Sequence, residues 1–176
     1  MTEKTKGEPP SIDWFTETFY AQVEHAVKEG DDVIPSLFLG NAENGNSICP
    51  LHMIHAPTFQ EVVRIAVSAM HKQMGKPDWI ALTSDTYVHA PIERDAPHPG
   101  DLQVLFKEGS PNVRESAMLH YVKSDGTGCA VNRMYKRNGN EIEWGQERRD
   151  DFTADVVKLG GGLPGILLDA TKWSDL

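Results

Sequence analysis

Cys49, His52 and His55, in the segment CPLHMIH, are the densest set of metal-ligand side chains. Thiolate and imidazole suit zinc, but a tetrahedral site needs a fourth ligand that the local spacing does not supply. On a strand, Cys49 and His55 point to one face and His52 to the other, because successive side chains alternate. A helix could converge all three, yet Pro50 and the surrounding pattern argue against one. The segment therefore reads as a half-buried edge strand that happens to hold two histidines, with neither metal nor cofactor expected.

A second group lies at Thr83-Ser84-Asp85, the end of a run with strand character. Open α/β sheets place their chemistry at such strand ends. Ser84 or Asp85 could work there with His89 or His120, provided nucleophile and base come within hydrogen-bond reach. No G-x-S-x-G elbow frames Ser84, and Ser and Asp just past a buried strand also serve simply as turn caps. The third group is Arg133, Tyr135 and Arg137, which alternate along one strand and so share a face. An aromatic ring between two guanidiniums could stack RNA bases or meet acidic groups on a protein. The plainer account is the solvent side of an antiparallel sheet. The glycine-rich stretch GGGLPG at 160–165 lacks the Gly-Lys-Ser/Thr ending of a phosphate loop and reads as a hinge.

Charge narrows the partners. Lys and Arg number 17 against 26 Asp and Glu, a formal net charge of −9. Such a field repels polyanions, so DNA held through its phosphates is not expected. The acidic runs are only pairs, Asp31-Asp32 and Asp150-Asp151, too sparse for a nucleic-acid mimic. At 176 residues, 39% of them hydrophobic, the chain can bury a core as one domain. No apolar run approaches the ~18 residues of a membrane helix. The opening MTEKTKGEPP has no apolar segment of the secretory kind, so the cytoplasm is the expected compartment and both cysteines are expected as free thiols.

The elements that would position these groups follow from periodicity. Residues 1–10 read as a flexible arm. Ser11 caps a helix whose stripe is Ile12, Phe15, Phe19, Val23 and Ala26, and Gly30 stops it. Runs at 33–39 and 47–55 form a hairpin around Asn44-Gly45, kept at an edge or bulge by Pro35 and Pro50. Thr58 and Glu61 make a capping box for a helix carrying Phe59, Val62, Val63, Ala66, Ala69 and Met70, which ends at Gly75. Residues 79–88 have the composition of a central strand, giving a strand–helix–strand crossover. The proline-rich stretch 90–100 is a surface loop, Asp101 caps a short helix, and Ser110-Pro111 opens one more turn. Strands at 117–123, 129–137 and 141–145 form a meander across two strong turn signals, and a short apolar element closes the chain.

Together these predict a single α+β domain over 11–176. It has two layers: a mixed or antiparallel sheet of about six strands, with both main helices on one face and a C-terminal β-meander. The functional expectation is a non-enzymatic interaction or structural protein, self-associating, whose sheet edge or 90–100 loop meets a protein partner. A polar arm on so short a chain suits a phage-encoded or accessory bacterial protein. The alternatives are a small metal-dependent or hydrolytic enzyme drawing on His52, His55, Asp85, His89 and His120, and an RNA-binding sheet using Arg133 and Tyr135. No membrane partner is expected.

Overall fold

The computed structural model describes residues 10–89, 102–110, 112–153, 155 and 167. The first helix, α1, spans Ile12–Glu29. The Ser11 hydroxyl accepts from the Trp14 N–H, and Gly30 closes the helix in the left-handed region at φ 77°. Phe15, Phe19, Val23 and Val27 recur every fourth residue and are all buried. Strands β1, Ser36–Asn41, and β2, Gly45–Pro50, then pair as a hairpin. Its turn is held from both sides: Asn41 Oδ1 accepts from the Glu43 and Asn44 amides, and Asp78 Oδ2 accepts from the Ala42 amide at 2.7 Å.

β2 stops at Pro50, and a single 3-10 turn, Leu51–Met53, follows where an extended segment to His55 was expected. Helix α2, Phe59–Met74, opens with the Thr58–Glu61 capping box. Its buried face is Val62, Val63, Ala66, Val67, Met70 and Met74, whereas Phe59 and Ala69 point outward. Next come β3, Trp79–His89, the short helix α3, Leu102–Lys107, and the meander β4, Val113–Lys123, β5, Gly128–Asn138, and β6, Glu141–Phe152. β6 runs well past the expected 141–145, through the charged segment QERRDDF.

The six strands form one sheet in the order β2-β1-β3-β4-β5-β6, every neighbouring pair antiparallel. The α+β class and the C-terminal meander are as the sequence implied. Because β1 lies between β2 and β3, antiparallel to each, β2 and β3 run parallel, and α2 is their crossover. A register shift sits between Arg133 and Tyr135 of β5, where β6 advances from Glu147 to Trp144.

The two helices lie on opposite faces of this sheet, a correction to the shared face expected from sequence. α2 packs on Leu37, Leu39, Ile80, Leu82 and Val122, a cluster that also takes in Leu167. α1 packs on Trp79, Ala81, Ala117, Leu119, Tyr121, Cys129 and Val131. Along β3 the two sets strictly alternate, and alternate residues of a strand face opposite sides. Each helix thus makes its own helix-on-sheet pair. β6 clamps α1 from the side: Arg149 meets Asp13 at 2.8 Å, Tyr20 donates to Glu147 at 2.9 Å, and Trp144 Nε1 donates to Glu24 at 2.7 Å. No helix among the described residues is long and apolar enough to cross a membrane.

Candidate functional site

The metal-ligand types Cys49, His52 and His55 are not brought together. Cys49 lies half-buried on β2, His52 sits in the 3-10 turn and His55 beyond it, and both histidines are exposed. With the strand ended at Pro50, the alternation that paired Cys49 with His55 has no ladder to act on. Among the described residues, no three His, Cys, Asp or Glu side chains gather as a metal site.

Ser84 and Asp85 are neighbours on β3 and therefore face opposite sides of the sheet. His120, on β4, stands opposite Leu82 and shares the α2 side with Ser84, away from Asp85. No Ser–His–Asp relay forms from the three. His120 is a core histidine, 6% exposed, whose burial holds the imidazole below its ordinary range. Its Nδ1 has no hydrogen-bond partner among the described residues. His89 ends β3 opposite Val113.

What does converge on Asp85 is a set that strand alternation and pairing bring to the α1 side, past the helix's buried stripe. Tyr135 donates its hydroxyl to Asp85 Oδ2 at 2.9 Å, and the same hydroxyl lies 3.4 Å from Glu115 Oε1. Glu115, 3% exposed, accepts from Arg137 through Nε at 2.8 and 3.0 Å and pairs with Nη2 at 2.7 Å. Glu115 lies directly across from Tyr135 in the β4–β5 register, with Arg137 two residues on. Burial pushes the Asp85 carboxyl up from 3.8 to about 6; the Tyr135 hydrogen bond and Arg137 pull it down, and Glu115 adds to the rise. Burial, then the charges of Asp85 and Glu115, hold the Tyr135 phenol well above its ordinary range. Asp85 Oδ1 is buried with no partner among the described residues. A cleft of about 570 Å³ adjoins the cluster, walled by Phe106, Val113, Glu115, Tyr135 and Arg137. Chemically the group is a carboxyl that burial raises to about 6, linked through a phenol to a carboxylate ion-paired with Arg137.

Sequence reasoning singled out Asp85 and Tyr135 separately and missed Glu115. Its signal was a lone carboxylate within VRESAMLHYV, a segment otherwise fit for burial.

Arg133, Tyr135 and Arg137 do share a face, but it is the face toward α1, neither an open platform nor the solvent side of the sheet. The Arg133 guanidinium lies 5.3 Å from the Tyr20 ring centre and 4.9 Å from that of Trp144, and its Nε donates to the Gly145 carbonyl at 2.9 Å. Tyr135 is 4% exposed. With those rings and Glu115 engaged, the trio fastens β5 to its neighbours, Tyr135 buried and Arg137 reaching the cleft.

The surface itself is asymmetric. β6, at one edge, carries Glu141, Glu143, Glu147, Arg148, Arg149, Asp150 and Asp151; β2, at the other, is GNSICP and carries no charge. Ile48, 52% exposed, stands on β2, and Ile34 and Met53, also exposed, flank the open end of its hairpin. Beside the strand, Pro10, Trp14, Phe15, Phe38, Ile48 and Trp79 line a mostly apolar groove of about 220 Å³. No protein-family model matches the chain, and neither a curated protein nor a solved structure does.

Proposed function

We propose that the protein works by binding another protein along β2, as a non-enzymatic interaction module. The observation that carries this reading is the contrast between the two sheet edges. An edge strand presents unpaired N–H and C=O groups, and charged side chains on it keep other strands away. β6 is guarded in that way from end to end, whereas β2 is neutral and lies beside an apolar groove. Strand addition draws affinity from backbone hydrogen bonds and specificity from neighbouring side-chain pockets, and β2 supplies both requirements.

A photo-crosslinking residue placed at position 48 in the producing cells tests the reading. Covalent protein adducts are expected from position 48 and none from position 143 on β6. Absence of adducts from 48 overturns it.

A second reading is favoured by one feature: a carboxyl raised to about 6 by burial that holds the hydroxyl of Tyr135, a residue in the wall of a cleft, and acid–base catalysis commonly draws on such perturbed groups. This is the small-hydrolase alternative with Asp85 as the acid–base group and Tyr135 as its positioning partner. Nitrophenyl esters, phosphates and glycosides offered to wild type and to Asp85→Asn test it. Turnover that is lost in the variant and follows an ionisation near pH 6 supports catalysis; turnover equal in both proteins excludes Asp85 from it.

A further inference from the structure

We infer that the partner of β2 is a second copy of this chain, the two β2 strands pairing antiparallel about a two-fold axis at Ile48 and joining two six-stranded sheets into one. The inference rests on the edge-binding reading above and adds the identity and register of the partner.

Backbone parity sets the register. Leu51 N–H donates to the Pro35 carbonyl at 2.8 Å, and Cys49–Leu37 and Ser47–Leu39 continue the same register. Opposed residues of an antiparallel pair alternate between hydrogen-bonded and non-hydrogen-bonded. Ser47, Cys49 and Leu51 therefore spend their backbone groups on β1, while Asn46, Ile48 and Pro50 turn theirs outward. Pro50 has no N–H to give. A two-fold axis at Ile48 accommodates this: the two Ile48 residues exchange both of their bonds, and each Asn46 N–H meets the Pro50 carbonyl of the second copy. Each missing proline donor then falls at the end of the paired segment, open to water.

Charge and side chains select a copy of the same chain. At a net charge of −9 two copies repel over most of their surfaces, and β2 is a strand on which no charged side chain opposes contact. Ile48 shares the face of Phe38, its partner in the β1–β2 register. In the symmetric pair each Ile48 side chain lies against the other and extends the apolar wall of the groove formed with Trp14 and Phe38. A self-complementary patch closing on a two-fold axis is also the commonest way soluble proteins assemble.

The register fixes a chemical test. In this arrangement Cys49 of one copy stands opposite residue 47 of the other as a non-hydrogen-bonded pair, with Cα atoms ~4.5 Å apart, inside the range a disulfide spans. Mild oxidation of Ser47→Cys should give a covalent dimer that Cys49→Ser removes. Sedimentation of the full wild-type chain at high micromolar concentration should give twice the chain mass, with association strengthened by added salt. Ile48→Pro deletes an outward N–H and leaves the β1 ladder intact, so a folded monomer by circular dichroism and sedimentation is expected; Ile48→Asp serves if the proline variant does not fold. A dimer retained in the folded variant overturns the β2 interface, and a dimer without the disulfide overturns the register. A wild-type monomer that still crosslinks from position 48 to a foreign protein refutes self-pairing alone. A monomer with no such adduct refutes the edge-binding reading as well.

Discussion

Burial does more to Asp85 than any of its neighbours do. Its carboxyl is raised from 3.8 to about 6 chiefly by loss of solvent, even with a phenol donating to one oxygen. The folded group thus keeps its proton to higher pH than the unfolded one. Its contribution to stability is fully present below about pH 3.8 and is lost as pH rises through about 6. Asp85→Asn removes that dependence. Between pH 4.5 and 7.5 the variant should gain about 2 kcal/mol relative to wild type, because holding a proton one pH unit longer than the unfolded chain does is worth ~1.4 kcal/mol. Urea unfolding at both pH values reads the gain. A constant difference across that range would mean that Asp85 ionises normally in the fold. Tyr135→Phe should cost about 1–2 kcal/mol at pH 7.5, where the carboxylate needs its donor, and less at pH 4.5. Neither effect was legible in the sequence, because the cluster is assembled from three strands whose register no local spacing encodes. Alternation did place Arg133, Tyr135 and Arg137 together on one face. What it could not say was that α1 covers that face.

At the scale of elements, the helices were the most legible part. Ser11, Gly30 and the Thr58–Glu61 box are local devices that act within a turn or two of chain, and all three stand where spacing put them. Strand ends were less legible. Beyond Trp144, β6 lacks apolar alternation because that part is an exposed edge, so backbone pairing with β5 holds it where side-chain burial does not. β1 carries a constraint of another kind. Gly40 stands opposite Trp79 in the β1–β3 pair, and the indole occupies the place where a Cβ would be. This glycine is thus required by close packing, with no positive φ involved. Gly40→Ala must displace the indole that packs edge-on to Phe15 at 5.2 Å, and overpacking of this sort costs ~1–3 kcal/mol. A lowered urea midpoint with altered tryptophan emission is the expected outcome. An unchanged midpoint would show that the indole can step aside freely.

The placement of the helices on two faces had a trace in the sequence that periodicity alone does not read. Trp79, Ile80, Ala81 and Leu82 are four consecutive apolar residues, all buried. A strand covered on one side only would alternate apolar with polar; a continuous apolar run signals cover on both. A helical stripe, by contrast, says that a helix must dock and nothing about which face receives it. The two-faced arrangement has a measurable consequence. Val23 on α1 and Val67 on α2 are both fully buried, each in its own cluster, with the sheet between them. Val23→Ala and Val67→Ala each remove two methyl groups and should each cost about 2 kcal/mol, from ~0.8 kcal/mol per buried carbon plus the cavity left behind. Sites without shared neighbours add to within ~0.5 kcal/mol. The double variant should therefore lose the sum of the single losses by urea unfolding. Were both helices docked side by side on one face, the cavities would share walls, and a coupling of ~0.5–3 kcal/mol would appear.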